Sequence, residues 1–219
     1  TPFAPPKNHV QKKKVPDARA MVEAMNRPEM PPLTIVSCVG HFSLGVPMDV
    51  KALALLLPNT LKLGETLVVH RLRAPRWQAR ISAAGNVTLY STSPVEETRM
   101  HGKRLARLVH QRAYSQVKFK HFRIAHLQTF CQLGFKVNVE AFCANQAPED
   151  VVRLEPSFAH ILVHLTDDDD DDEEGEPLKA QVKIDREGRV RVFKVTSLAQ
   201  AEAAVAQLLP SLAKHGQWW

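Results

Sequence analysis

With 219 residues and 44% apolar content, the chain is long enough to bury a substantial core, as one domain or as two closely joined halves. No run approaches the roughly 18 apolar residues needed to span a bilayer, and the N-terminus carries no signal-peptide core, so no membrane partner is expected. The net charge is +6, but nine of the 23 acids fall within residues 167–176; without them 14 acids face 29 Lys plus Arg, a balance of +15. A body this basic points to a polyanionic partner, nucleic acid first, the alternative being a merely soluble basic surface.

Three cysteines, Cys38, Cys131 and Cys143, show no metal-type spacing, which points to a reducing compartment and inert thiols. His160 and His164 lie four apart, but Ile161-Leu162-Val163 between them reads as strand, and no Cys or carboxylate pair joins them. There is no glycine loop to cradle a phosphate and no nucleophile elbow. No metal, no cofactor and no enzymatic activity are expected.

Residues 1–31 are basic and proline-rich, with the run Lys12-Lys13-Lys14, and read as a tail. The β-branched alternation of residues 33–39 predicts a strand. Residues 49–57 then form a short helix that Asp49 caps and Pro58-Asn59 stops. Three short strands follow: one beginning at Leu67 and ending by Pro75, one over 79–82, and one after the Gly85-Asn86 turn. Ser93-Pro94 opens a longer helix with Glu96 and Glu97 in its first turn. Met100, Leu105, Leu108 and Val109 line its apolar side, and Arg99, Lys103, Arg104, Arg107 and Arg112 crowd the other.

After a link over 117–124 the plan restarts. Residues 126–131 correspond to 34–39, residues 139–144 to the short helix, and residues 161–165 to 68–72; Thr196-Ser197 caps a helix over 198–212. Leu72 to Leu165 is 93 residues and Gly85 to Gly188 is 103, so the acidic run 167–176 is a ten-residue insertion in one hairpin of the second copy. Self-similarity of this kind marks a duplicated unit. Two copies of strand, helix, antiparallel strands and long helix predict an α+β fold: one continuous curved sheet with helices on one face and the other face open. With period 2, Arg80, Ser82, Thr88 and Tyr90 share that open face, as do Lys183, Asp185, Arg191 and Phe193. It is polar and charged.

This layout resembles the saddle-shaped core of the TATA-box-binding protein (TBP) family. Thr34-Ile35-Val36-Ser37-Cys38-Val39 is similar to the family's opening strand. Leu44-Gly45 with Met48-Asp49-Val50-Lys51 and Leu53-Ala54 is similar to its L-G-x-x-L-D-L-K-x-x-A helix. Val68-Val69 with Arg71-Leu72-Arg73 and Pro75 is similar to V-I-x-R-I-R-x-P, and Glu155-Pro156 with Phe158 to E-P-x-x-F. The resemblance runs from residue 33 to about 212. It implies a pseudo-two-fold saddle with helices on the convex face, a first repeat over 32–118, a second over 119–215 and a short tail over 216–219.

The family kinks DNA by inserting four phenylalanines into the minor groove. By this resemblance the first position falls on Glu65, the second on Ser82, the third on Phe158 and the fourth on Asp185, so three wedges are substituted. Two central asparagines become Thr34 and His126. The DNA surface implied comprises Thr34, Val36, Arg71, Arg73, Arg80, Thr88, His126, Phe158, His164, Lys183, Arg189 and Arg191. Arg99, Lys103, Arg104 and Arg107 match the convex side that docks other transcription factors, and Glu155 matches an acid beside the loop that engages TFIIB. The expectation is a nuclear TBP-related transcription initiation factor that supports preinitiation-complex assembly. It would bind promoter DNA weakly or with altered, non-TATA specificity, alongside factors of the TFIIA and TFIIB type. The alternative is a protein-interaction platform that keeps the fold and has lost direct DNA binding. The acidic run reads as a solvated loop, a docking segment for basic partners, or a competitor for the basic face.

Overall fold

A computed structural model describes residues 29–144, 153–155, 160–166 and 179–218. The expectations placed on the tail up to residue 28, on Phe158 and on the insertion 167–176 lie outside these residues. The first half runs β1 (Thr34–Ser43), α1 (Val50–Leu56), β2 (Thr60–Leu63), β3 (Thr66–Arg71), β4 (Trp77–Ser82), β5 (Asn86–Ser91) and α2 (Val95–Arg112). The second runs β6 (Lys120–Gln132), β7 (Phe135–Val137), α3 (Val139–Ala144), β8 (Arg153–Glu155), β9 (His160–Thr166), β10 (Lys179–Asp185), β11 (Arg189–Val195) and α4 (Leu198–Lys214), ending in β12 (Gly216–Trp218).

Ten strands form one antiparallel sheet in the order β2-β3-β4-β5-β1-β6-β11-β10-β9-β8. Outward from the central β1–β6 pair, both halves have the same order, which is the duplication expected. The alternation of apolar residues sets the faces. Leu67, Val69, Ala79, Ile81, Val87 and Leu89 are buried toward the helices in the first half, and Val182, Ile184, Val190 and Val192 in the second. Each half has its own core: Leu105, Ala106 and Val109 of α2 close one, and Ala201, Val205, Leu208 and Leu212 of α4 close the other. A fully buried Leu or Val stabilises by about 1.5–3 kcal/mol, so each core holds its helix against the sheet. Among the described residues, the opposite face of the curved sheet carries no helix.

The local signals act as the residues dictate. The Asp49 carboxylate accepts from the backbone N–H groups of Lys51 and Ala52, and the Ser197 hydroxyl from that of Gln200. Gly85 (φ 80°) and Gly188 (φ 73°) hold the left-handed turns of the two hairpins. A Cβ there would strike the carbonyl of Val46 or of Phe135. Around these glycines both halves repeat the same bonds: Leu44 N to Gly85 O (2.8 Å) and Leu133 N to Gly188 O (2.9 Å), Met48 N to Ala83 O (2.7 Å) and Val137 N to Arg186 O (3.0 Å).

That repeated lattice corrects the internal alignment. Leu44 matches Leu133, so the partner of His126 is Ser37, three residues beyond the expected Thr34. The β-bulges in the β1–β6 pair, one on β1 and two on β6, hide this shift from a count of alternating residues. The expected link over 117–124 is largely strand, because β6 starts at Lys120 and extends the central pair. The expected tail over 216–219 instead contributes β12, which pairs with β7. Met100 is 50% exposed rather than core; Thr98, His101 and Gly102 occupy the packing side of α2. Pro94 is the N-cap of α2, with Val95 the first helical residue.

Candidate nucleic-acid interface

The open face is assembled by cross-strand register. One row runs His70–Gln78–Tyr90–Val39–His126 and a second runs His164–Gln181–Phe193, with Gln128 and Ser37 paired beside it. Gln78 and Tyr90 in the first half sit where Gln181 and Phe193 sit in the second. Further along the strands, Arg80–Thr88–His41–Arg123 crosses the first half, and Leu162–Lys183–Arg191–Phe130–Thr34 crosses the second. On β1 to β6 and β9 to β11 the single acid is Asp185.

The expected residues do not all fall on this face. Arg80, Thr88, His126, Lys183, Arg189 and Arg191 do, and Arg80 lays its guanidinium 5.3 Å from the centre of the Tyr90 ring. His164 does too, with its Nδ1 3.1 Å from Gln181 Nε2. Thr34 is exposed at the start of β1, and Val36 stands in the bulge between Ile35 and Ser37. Arg71 shares its side of β3 with Leu67 and Val69 and pairs with Trp77, so it faces the helix layer. Arg73 lies in the exposed turn that contains the cis Ala74–Pro75 bond, its carbonyl accepting from Arg71 Nε at 3.3 Å. Glu65 is exposed in the turn between β2 and β3. Arg99, Lys103, Arg104 and Arg107 are exposed on α2, across the sheet from the open face. Glu155 pairs in register with His160.

Ser82 and Asp185 play the same local part in the two halves. The Ser82 hydroxyl accepts from Asn86 N (3.2 Å), four residues on across the hairpin. The Asp185 carboxylate accepts from Arg189 N and Glu187 N (both 3.0 Å) and pairs with Arg189 Nε at 2.6 Å. These short polar side chains fold back to satisfy turn N–H groups, as Asx and Ser turns do. At neither position does an apolar group project from the sheet.

Sequence reasoning missed His41, His70, Arg123 and Phe130. Alternation along β1 and β6 could have found them, had the bulges not disrupted its phase. Burial, followed by the nearby Arg123 and His126, pushes the His41 pKa below the ordinary histidine value. Polarity on this face is also uneven: Leu61 and Leu63 of β2 are each 54% exposed, and Val68 is buried between Leu61 and Arg80. Among the described residues, no group of three His, Cys, Asp or Glu could hold a metal.

Known proteins place this architecture. The archaeal TBP of Methanococcus jannaschii superposes with a TM-score of 0.69, covering 84% of this chain and 99% of that one at 20% identity. The TATA box-binding protein-like 1 of Danio rerio is 27% identical over 81 residues, 37% of this chain and 43% of its own length. The TATA-box-binding protein-like 1 of Entamoeba histolytica is 24% identical over 101 residues, 46% of this chain and 45% of its own.

The chain has the TBP fold and is similar over part of its length to TBP-like proteins.

It has the TBP saddle, with the open face concave and the helices on the convex side. It spans less than half the length of either curated relative, and no family model matches it.

Proposed function

We propose that this chain is a nuclear TBP-related transcription initiation factor, with repeats over 32–118 and 119–215. In this role it supports preinitiation-complex assembly and meets promoter DNA through the concave face. The observation that carries this reading is the set of cations Arg80, Arg123, Lys183 and Arg191 in register on the face away from the described helices, where strands β1 to β6 and β9 to β11 carry one acid. Cations spaced along a polyanion gain affinity through counterion release, without regard to sequence. Ser82 and Asp185 act as turn caps rather than wedges, so DNA is bound more weakly and kinked less than four inserted rings would achieve. Placement at a promoter then depends on partners of the TFIIA or TFIIB type, with the exposed cations of α2 supplying a convex docking side. Titration of the full chain against promoter and random duplexes across a salt series tests this. Binding should weaken steeply with salt and show little sequence preference. Absence of binding to any nucleic acid at low salt would overturn it in favour of the protein-interaction platform.

A further inference from the structure

We propose that the concave face binds single-stranded nucleic acid, with one unstacked base seated in each half against a glutamine–aromatic pair. This rests on the nucleic-acid reading above and specifies the form of the ligand. Two hollows of about 560 Å³ flank Ser37 of β1. One is lined by Gln78 and Tyr90 together with Arg71, Trp77 and Ser91 at the ends of β3, β4 and β5, the other by Gln181 and Phe193 together with His126 and Gln128. The pairs are equivalent in the duplication, so the same side-chain chemistry is presented twice, once on each side of the central strands. A half-buried ring offers a π-face on which any base can stack, and a glutamine amide offers the donor and acceptor that a Watson–Crick edge uses. His164 Nδ1 lies 3.1 Å from Gln181 Nε2, which holds that amide in place beside the Phe193 hollow.

The charges suit a backbone passing over this platform. Arg80 lies over the Tyr90 ring, a position that a stacked base would take from it, leaving the guanidinium to the passing phosphates, and Arg191 stands in register between Phe130 and Lys183. Asp185 is four residues along β10 from Gln181, about 13 Å away, so its charge stays clear of the hollow. A duplex keeps its base faces stacked out of reach, and with Ser82 and Asp185 turned into their hairpins nothing at those positions pries a base step open. An unpaired strand presents free faces and edges to both hollows.

The test uses the full chain and fluorescence anisotropy with labelled oligothymidylate, oligouridylate and a mixed-sequence duplex. The single strands should bind more tightly than the duplex, and a preference between the two oligonucleotides identifies the natural strand as DNA or RNA. Tyr90→Ala and Phe193→Ala should each weaken single-strand binding on the order of tenfold and duplex binding much less. Tyr90→Phe and Phe193→Tyr should retain binding, with unchanged melting curves establishing that each variant folds. Unchanged single-strand affinity after loss of either ring, where Arg191→Ala weakens it, overturns the stacking platform. A duplex bound more tightly than either single strand overturns this inference while the proposed function stands. Failure of all three ligands at low salt overturns both.

Discussion

Replacing Asp185 tests two roles of one side chain. Its carboxylate accepts two turn N–H groups at 3.0 Å and pairs with Arg189 Nε at 2.6 Å. On a part-exposed hairpin each bond is worth about 1 kcal/mol, and an exposed ion pair adds little. Asp185→Ala should therefore destabilise the protein by about 2 kcal/mol, lowering the melting midpoint by about 4–8 °C for a domain of this size. Asp185→Asn keeps an acceptor oxygen and should cost clearly less. Both changes remove the one acid on these strands of the concave face. A unit charge about 7 Å from a phosphate in water is worth ~0.6 kcal/mol, or about threefold in affinity, so both variants should bind nucleic acid about threefold more tightly at low salt. Urea and thermal unfolding of the full chain measure the first effect, and anisotropy across a salt series the second. A loss of under about 0.5 kcal/mol in Asp185→Ala would show that the carboxylate does not hold the turn. Unchanged or weaker nucleic-acid affinity in both variants would show that phosphates do not approach this end of the face.

Gly188→Ala should destabilise by more than about 1 kcal/mol, since alanine disfavours φ 73° and its Cβ would strike the Phe135 carbonyl; chemical denaturation measures it. At neutral pH iodoacetamide should modify half-buried Cys143 first. Buried Cys131, its thiol pushed up to about 11 by burial, and buried Cys38, raised likewise, should react only on unfolding, as read by mass spectrometry. Burial, then Arg104 and Arg71, push the pKa of His101 below 6.5, so the unfolded chain takes up a proton that the folded one resists. Stability should thus be full above pH 6.5 and fall as the pH drops below it, a decline that His101→Gln should flatten in urea titrations. Deleting residues 167–176 removes nine acids and raises the net charge from +6 to +15, and should tighten polyanion binding at low salt more than at high salt.

The duplication, the α+β class and the helix-facing side of β4, β5, β10 and β11 follow from the chain alone. A period-2 alternation such as Val87, Leu89, Val190 and Val192 allows one burial pattern, and a glycine at a hairpin turn marks the same bend twice. The TBP resemblance was likewise legible in short local motifs, because capping residues and strand patterns are read within a few neighbours. Other features needed the folded sheet. The equivalence of His126 with Ser37 came from the matching Leu44–Gly85 and Leu133–Gly188 bonds, and no pattern in the sequence marks those bonds. Arg71 turned toward the helices because strand register, set by pairing with β4, decides which way a side chain faces. Ser82 and Asp185 became turn caps because the bonds they accept come from residues four positions on, brought within 3.2 Å only when the hairpin closes. The glutamine–aromatic pairs are 12 residues apart in sequence in both halves, and only strand pairing makes them neighbours. Local chemistry is written along the chain, whereas adjacency across strands is created by hydrogen bonds between distant segments, and the concave face is made of such adjacencies.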